Sequence, residues 1–444
     1  MDALNSAPQE VEIEDAAPTE TRDGWFDQWV TAKGEPLKDL VSSMMGGLAA
    51  YERAAKTRKR QRKPEDKLRY ETCVEVLVCN LAYAVLNPST SGRIALSRGK
   101  RFKTTRYDNR ILSPKVMVPI LERMADMDII TQEIGDPQKG LSTIAPTEWF
   151  ARRTRERQVS FADFGRNEVE EVVVLTRKHK FLTEFGPKKI RVTVDYPDCS
   201  EADEIRHEVR LLNRFLECAD LDFIDDGHAP KIDPYQRVMK RRFSLLPRQS
   251  IRFDKAGRLF GPWWMTLKKN RRVNIRIQGE PAAELDFSNM FARLAYARIG
   301  CEPPEGDLYD LSGHLDGYER HHRKGVKLAF NTLLFSRGAR FPEGFGSHLP
   351  VGSTMPKVRR AIEARHPNLT PLFGTKVGFV LMYQESLILI KVLQSLNRIG
   401  VVGLGLHDAV IVPLSQATRT KNIMETCSRE VSGEAIPTEI KFYK

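Results

Sequence analysis

Paired cysteines are missing from this chain of 444 residues. Its six cysteines, at positions 73, 79, 199, 218, 301 and 427, never form a Cys-x-x-Cys pair, which argues against a disulfide framework and against a zinc ribbon. The nine histidines offer no replacement, because the adjacent pair His321-His322 lies in a basic stretch without a carboxylate at helical spacing. We therefore expect any metal ion to be held by carboxylates.

Long apolar segments are also scarce. No apolar run reaches the roughly 18 residues that a membrane-spanning helix needs, so we expect no membrane partner. The first residues, Met-Asp-Ala-Leu-Asn, lack the basic and apolar regions of a signal peptide, which predicts a cytoplasmic location. Hydrophobic residues make up 41% of the chain, enough for a globular core, and the length suggests two or three domains.

Positive charge is in excess, with 70 Lys and Arg against 58 Asp and Glu, and it is unevenly spread. Residues 1–23 form an acidic leader that we expect to be disordered. Residues 53–63 concentrate Lys and Arg just before Pro64. This basic run is either a solvated helix face or a segment that contacts phosphates.

The N-terminal part of the chain has helical and hairpin patterns. Apolar residues recur at helical spacing from Leu68 to Leu86, and Ser113-Pro114 marks the start of another helix. A short strand at 129–130, a polar turn at 135–140 and a second strand at 141–144 follow it. Helix, strand, turn and strand in this order are typical of a winged-helix domain, which binds either nucleic acid or protein.

The middle of the chain mixes strands with one amphipathic helix. Runs of β-branched residues at 172–175 and 190–194 predict strands, and Ser200 is expected to cap a packing helix. That helix carries Ile205, Val209, Leu212 and Leu216 on one face. The aspartates that follow it, at 220, 222, 225 and 226, favour a solvated or capping loop over a calcium site, because no Glu closes a twelve-residue loop.

Two aspartates each follow a predicted buried strand. Residues 281–286 read as a strand that ends at Asp286, and residues 401–412 read as a hairpin with His407 and Asp408 at its tip. An ionised carboxylate beside buried strands is costly unless a cation or hydrogen bonds compensate it. Two of them at neighbouring strand ends would suit Mg²⁺, although either aspartate alone is also compatible with a strand-end cap.

A third element carries cations and an aromatic ring on one face. Arg323, Lys327, Asn331 and Phe335 are four residues apart, so they lie along one stripe of a predicted helix. The cations suit a polyphosphate and the ring suits a base. A basic amphipathic surface helix is the alternative interpretation.

In this order, the three elements resemble the palm and fingers of family A (Pol I-like) DNA polymerases and, more distantly, phage-type single-subunit RNA polymerases. The resemblance covers roughly residues 250–444. Gly257-Arg258 resembles a pair that precedes the palm in this family, the stretch around Asp307 resembles one that follows the first motif, and Gln384 is expected to open a helix toward the third motif. The three motifs match Asp286, Ser288 and Arg293; Arg323, Lys327 and Phe335; and His407 and Asp408.

The resemblance implies nucleotidyl transfer with two Mg²⁺ ions, for which Mn²⁺ could substitute. Asp286 and Asp408 would hold the ions, and Lys327 would act with them as a catalytic residue. The other residues are expected to bind substrate. Arg323 and Lys327 would bind the β and γ phosphates, Asn331 would lie by the sugar, and Phe335 would stack at the templating pair. His407 would contact the primer end, Arg293 would tie the palm helix to its neighbours, and Arg258 and Gln384 would lie beside them.

The chain departs from the family pattern at several positions. Phe335 replaces the stacking Tyr, and Asn331-Thr332 is closer to the Met-Thr of the RNA polymerases than to the Phe-Gly of Pol I. Phe291 stands where these DNA polymerases have a Glu that excludes a 2′-hydroxyl, and a bulky ring could do the same, which favours deoxynucleotides. Ala409 replaces the Glu that commonly follows the second aspartate, leaving two carboxylates as ligands. No ordered carboxylate set for a 3′–5′ exonuclease precedes residue 250, so proofreading is not expected.

The expected fold is α+β, a polymerase right hand with an antiparallel palm sheet and helical fingers behind a helical and winged-helix module. The expected function is a template-directed 5′–3′ DNA polymerase of a mobile element, phage or plasmid in a bacterial or phage-infected cell, with primer-template and dNTPs or NTPs as partners. The alternatives are a primase or RNA polymerase that uses NTPs, and a non-catalytic replication or defence factor. The expected domains are a leader at 1–23, a nucleic-acid-binding module at 24–160, a thumb-like region at 161–280, a palm at 281–304 and 381–444, and fingers at 305–380.

Overall fold

The chain divides into two compact units in this computed structural model, which describes residues 23–56, 60–99, 105–135, 141–183, 186–336 and 345–443. Among the described residues, the N-terminal unit contains 23–171 together with 225–236, and the C-terminal unit contains 172–224 and residues from 237 onward. The mixed α and β composition agrees with the expected class. Most of the acidic leader, residues 57–59 of the basic run and the turn at 136–140 lie outside the described residues.

Four helices and two small sheets make up the described part of the N-terminal unit. Its helices are α1 (Glu35–Ala54), α2 (Pro64–Leu86), α3 (Pro114–Asp126) and α4 (Glu148–Glu156). Its strands are β1 (Gly24–Trp25), β2 (Val30–Ala32), β3 (Ile94–Leu96), β4 (Ile130–Glu133), β5 (Ser142–Pro146) and β6 (Phe164–Arg166). One sheet has the order β1-β3-β5-β4, and β2 pairs with β6.

The helix patterns of this unit are confirmed. Helix α2 ends at Leu86 as its apolar spacing predicts, and it supplies much of the buried core. Helix α3 begins at Pro114, although the hydroxyl of its N-cap Ser113 makes no capping hydrogen bond. The antiparallel pair of β4 and β5 then follows in the predicted order. The assignment of these elements to a winged helix stays a prediction.

The described part of the basic run connects two helices. Helix α1 ends at Ala54 and α2 begins at Pro64, so the described residues 55–56 and 60–63 lie outside both helices and do not form a helix face. Arg62 is 2.6 Å from a carboxylate oxygen of the buried Glu52, which Arg123 also contacts at 2.9 Å. A buried carboxylate needs such compensation, so Arg62 fixes this connection to α1.

Two larger sheets and six helices form the described part of the C-terminal unit. Its helices are α5 (Ser200–Glu217), α6 (Met290–Ile299), α7 (Arg323–Phe335), α8 (Met355–Arg365), α9 (Gly378–Arg398) and α10 (Ala417–Ser432). Its strands are β7 (Val173–Thr183), β8 (Gly186–Thr193), β9 (Leu221–Phe223), β10 (Lys240–Ser244), β11 (Ala256–Phe260), β12 (Ile275–Ile277), β13 (Glu280–Phe287), β14 (Leu404–Leu406), β15 (Ala409–Pro413) and β16 (Thr438–Phe442). The first sheet has the order β11-β10-β7-β8, and the second has the order β14-β15-β13-β12-β9 with β16 also paired to β13.

Strand β13 is the centre of the second sheet, in which every pairing is antiparallel. It pairs with β15 from Ala282 to Asp286 and with β16 from Ala283 to Phe287. Because both edges of β13 are paired, its end is fixed on two sides. The predicted hairpin is confirmed, with a shorter first strand than the sequence indicated.

Three details of the C-terminal unit differ from the sequence interpretation. The N-cap of α5 is Cys199, and Ser200 is the first helical residue. Gln384 lies inside α9 and does not open it. Helix α9 is also long and apolar enough to cross a membrane by length and composition, contrary to the expectation that no run reaches that length. More than half of the apolar window of α9 is buried, as in the core helix of a globular unit.

Of the aspartates after α5, those at 220, 225 and 226 lie outside helices and strands as the sequence suggests, whereas Asp222 lies within strand β9. Oxygens of Asp225 and Asp226 accept hydrogen bonds from the backbone amides of Gly227 and His228, each two residues further on. This is the pattern of a capping loop. No group of three or more His, Cys, Asp or Glu that could hold a metal is found in the described parts of the chain.

Candidate active site

The second sheet brings the two predicted aspartates to adjacent strand ends. Asp286 is the Cα partner of Ala409, the residue directly after Asp408. The amide of Phe287 donates to the carbonyl oxygen of Asp408 at 3.2 Å. The hairpin turn consists of His407 and Asp408, and His407 has a positive φ of 58°, which is uncommon outside glycine.

The charge of one aspartate acts on the other. Burial raises the pKa of Asp286, and the negative charge of Asp408 raises it further, whereas Lys441 and Lys327 lower it. The nitrogen Nζ of Lys441 is 2.5 Å from Oδ2 of Asp286. Two carboxylates and two lysines therefore interact at this end of the sheet.

Helix α7 begins beside the same strand end. The guanidinium of Arg323 donates to both carboxylate oxygens of Asp307, one of them at 3.0 Å, and to Oδ1 of Asn289 at 3.0 Å. It also lies 5.3 Å from the ring centre of Tyr309. Because Asn289 is only three residues after Asp286, Arg323 ties the start of α7 to the end of β13.

The aromatic end of the stripe is packed into the unit. Phe335 is only 5% exposed, and its ring meets those of Phe291 and Phe379 edge-on at 5.4 and 5.3 Å. Gly378 makes room for the ring, since a Cβ there would lie 2.7 Å from it. Phe291 is 8% exposed, so the two rings form one buried cluster. The cluster places the positions predicted for sugar selection and base stacking in contact.

Arg258 makes a two-pronged ion pair with a buried carboxylate. Its Nε and Nη2 donate to the two oxygens of Glu385 at 2.7 and 3.0 Å, and the side chain of Glu385 is fully buried on α9. The guanidinium also lies 5.8 Å from the ring centre of Phe291. Arg258 therefore links β11 and α9 beside the aromatic cluster.

Four further predicted site residues lie in the same unit. Asn331 follows Lys327 by one helical turn, and its Oδ1 is buried without a hydrogen-bond partner among the described residues. The same holds for Oε1 of Gln384 and for Nε of Arg293. His407 stands at the hairpin tip next to Asp408.

Sequence reasoning missed two residues of this region. Lys441 comes from the last strand, β16, and pairs with Asp286 across 155 positions of chain. Glu385 lies in an otherwise uncharged stretch of α9, and a buried carboxylate there needs a cation. The need of Glu385 for a cationic partner was therefore visible in the sequence, whereas the sequence around Lys441 gives no indication that Asp286 is its partner.

The donor set suits a hard divalent cation. Mg²⁺ binds proteins through one or two carboxylates and takes its other ligands from water and substrate phosphates. Asp286 and Asp408 supply two carboxylates, and burial together with the charge of Asp408 raises the pKa of Asp286. Lys441 already provides a positive charge at this position, so the site accommodates a cation.

Comparisons with known proteins give distant structural similarities, of which one is described below. No family model matches the chain, and no curated protein matches it. Among solved structures, the chain is similar to the polymerase domain of Pol1 from M. smegmatis in complex with a DNA primer-template and a dNTP. The TM-score is 0.28 and the sequence identity is 10%, with 93% of this chain and 66% of that chain covered. The chain thus spans about 66% of the length of that polymerase domain.

Proposed function

We propose that this protein is a template-directed nucleotidyltransferase, a 5′–3′ DNA polymerase that extends a primer with dNTPs. The observation that carries the proposal is the interaction of Asp286 with Asp408 and with the stripe residue Lys327 at one end of the sheet. Carboxylates that hold divalent ions and a cation that faces them are the groups that phosphoryl transfer requires.

In this proposal, each charged residue has a separate task. Bound magnesium would lower the pKa of the primer hydroxyl and neutralise the charge that develops on the leaving group. Asp286 and Asp408 would hold the metal, and Lys327 would bind phosphate oxygens. Arg323 would also bind phosphate oxygens, after it exchanges its ion pair with Asp307 for one with the phosphate. Phe291 would limit the space beside the sugar, which favours deoxynucleotides.

Several features support a nucleic-acid substrate without deciding its type. The chain carries an excess of positive charge, and the N-terminal unit has a helix followed by a β-hairpin, as winged-helix domains have. We include binding of primer-template by that module and a cytoplasmic location in the proposal. The origin in a mobile element, phage or plasmid is proposed on the resemblance alone.

Primer extension tests the proposal. Purified protein would be given DNA and RNA templates, Mg²⁺ or Mn²⁺, and dNTPs or NTPs. Asp286→Asn and Asp408→Asn should each lower incorporation by at least about 10³-fold, because each removes a charged metal ligand. Asp39→Asn, at an exposed position of α1, serves as the matched control and should retain wild-type activity. No incorporation by the wild type in any pairing would refute the enzymatic proposal.

One observation favours a second candidate, a non-catalytic nucleic-acid-binding factor. Lys441 is in contact with Asp286, as in a purely structural ion pair. If Asp286→Asn and Asp408→Asn each support the protein's function in the cell as well as the wild type does, the non-catalytic factor is favoured. Joining of NTPs without a primer would instead identify a primase or RNA polymerase.

A further inference from the structure

A two-stranded ribbon extends past the first sheet of the C-terminal unit. Strand β7 pairs with β10 up to Thr176, which is the partner of Ser244. From Arg177 to Thr183, β7 continues in register with β8 alone among the described residues. Seven residue pairs at about 3.3 Å each give a length of roughly 23 Å. We call residues 177–183 and 186–192 the basic ribbon.

The charges of the basic ribbon oppose its own pairing. Residues 177–192 contain six Lys or Arg and one Glu. The register places Lys178 opposite Arg191. Like charges directly opposite each other destabilise a strand pair, and a two-stranded ribbon is only marginally stable in water. The stability of the fold therefore does not explain this sequence.

The two cations of this pair belong to one face of the ribbon, and that face continues onto the sheet. Side chains alternate along a strand, so Lys178 and its partner Arg191 share the face of Val174. The partner of Val174 on β10 is Arg242, whose guanidinium stacks 3.7 Å from the ring centre of Phe260. Burial and the positive charge of Arg191 lower the pKa of Arg242 to about 10. Arg191 and Arg242 thus form one electropositive surface.

We propose that this face of the basic ribbon binds the phosphate backbones of duplex nucleic acid. The inference rests on the proposed function, since the duplex is the primer-template, and it names the surface that holds the duplex outside the candidate active site. A polyanion offsets the repulsion between the paired cations. The major groove of B-DNA is about 12 Å wide and admits a two-stranded ribbon. About a dozen phosphates lie along 23 Å of duplex.

Removal of one like-charge pair tests the proposal in the full-length protein. The ribbon variant carries Lys178→Gln and Arg191→Gln. The control variant carries Arg419→Gln and Arg429→Gln, two exposed cations of α10, and loses the same charge. Fluorescence anisotropy would measure binding to a DNA duplex, an RNA–DNA hybrid and a single strand over a salt series, without nucleotide or divalent ion. Circular dichroism would verify that both variants are folded.

The expected result is specific to the ribbon and to duplexes. The ribbon variant should bind duplex about tenfold more weakly at 0.1 M salt, and the slope of log K against log salt should fall by about two. The control should keep the wild-type slope, and the loss on single strands should be smaller. The DNA duplex and the RNA–DNA hybrid both present phosphate backbones, and comparing the two affinities shows which of them the ribbon prefers.

Two outcomes would overturn the proposal. Equal salt slopes of the ribbon variant and the control would show that the charges only protect a sheet edge from pairing with other chains. An equal loss on single strands and on duplexes would exclude the duplex assignment. Because no step of the assay needs catalysis, a wild type that extends no primer would refute the polymerase and leave the ribbon result standing.

Discussion

Acid should destabilise the C-terminal unit through one buried histidine, His366. Its side chain lies directly after α8, with Nδ1 2.9 Å from the hydroxyl of Tyr296 and Nε2 2.8 Å from the carbonyl oxygen of Leu308. The neutral tautomer with its proton on Nε2 satisfies both contacts, since Nε2 donates to Leu308 and Nδ1 accepts from Tyr296. Burial is the main cause that lowers the pKa of His366 from 6.5 to about 4.

The sign of the effect follows from this lowered value. Because the unfolded chain takes up a proton at higher pH than the folded chain, stability is complete above about pH 6.5 and is lost as the pH falls toward about 4. A pH of 5 is 1.5 units below 6.5, the pKa of the ring in the unfolded chain, and one pH unit corresponds to about 1.4 kcal/mol. The free energy of unfolding at pH 5 should therefore be about 2 kcal/mol lower than at pH 7.

Urea unfolding at pH 7 and pH 5 measures this loss. The wild type should lose about 2 kcal/mol more free energy of unfolding between these pH values than His366→Gln, whose side chain does not titrate. His207→Gln, at an exposed position of α5, should follow the wild type. The same pH dependence in the wild type and in His366→Gln would refute the reasoning, as would a titration of the folded His366 near pH 6.5.

Two further predictions concern ion pairs of the candidate site. Arg258→Ala removes the guanidinium from the buried Glu385 and should lower the free energy of unfolding by about 3–5 kcal/mol, and Glu385→Gln in the same chain should restore part of it; a single variant as stable as the wild type in urea would contradict the pairing. Lys441→Met removes the cation beside Asp286 and should tighten Mn²⁺ binding by about threefold or more in calorimetry without nucleotide. Lys421→Met, in an i,i+4 pair on α10, is the control, and equal Mn²⁺ affinity in the two variants would contradict that role of Lys441.

The elements that carry the candidate site were predictable because their signals are local. An apolar run that ends at Asp286 predicts a strand, and the hairpin around His407-Asp408 follows from two apolar runs separated by two residues. The stripe from Arg323 to Phe335 follows from four-residue spacing. Each of these signals lies within a few neighbouring positions.

The pairings between distant positions were not predictable in the same way. Arg258 and Glu385 are 127 positions apart, and no local pattern assigns one to the other. The spacing gives the direction of the Phe335 side chain on its helix but not what the facing helix offers, so its contact with α9 was not predictable either; its stacking on a base stays a prediction. Gly378 on α9 accepts the ring, and Phe335 is buried there.

The two cations of the stripe, Arg323 and Lys327, interact with different carboxylates. Arg323 is held by Asp307 and Asn289, whereas the charge of Lys327 acts on Asp286. A triphosphate that approaches without metal would have to displace Asp307 from Arg323 and would meet the negative charge of Asp286. A divalent ion that arrives alone would face the repulsion of Lys327 and of the lysine on β16. Bound together, the ion and the triphosphate compensate each other's charge, so we infer that this site favours the metal–nucleotide complex over either component.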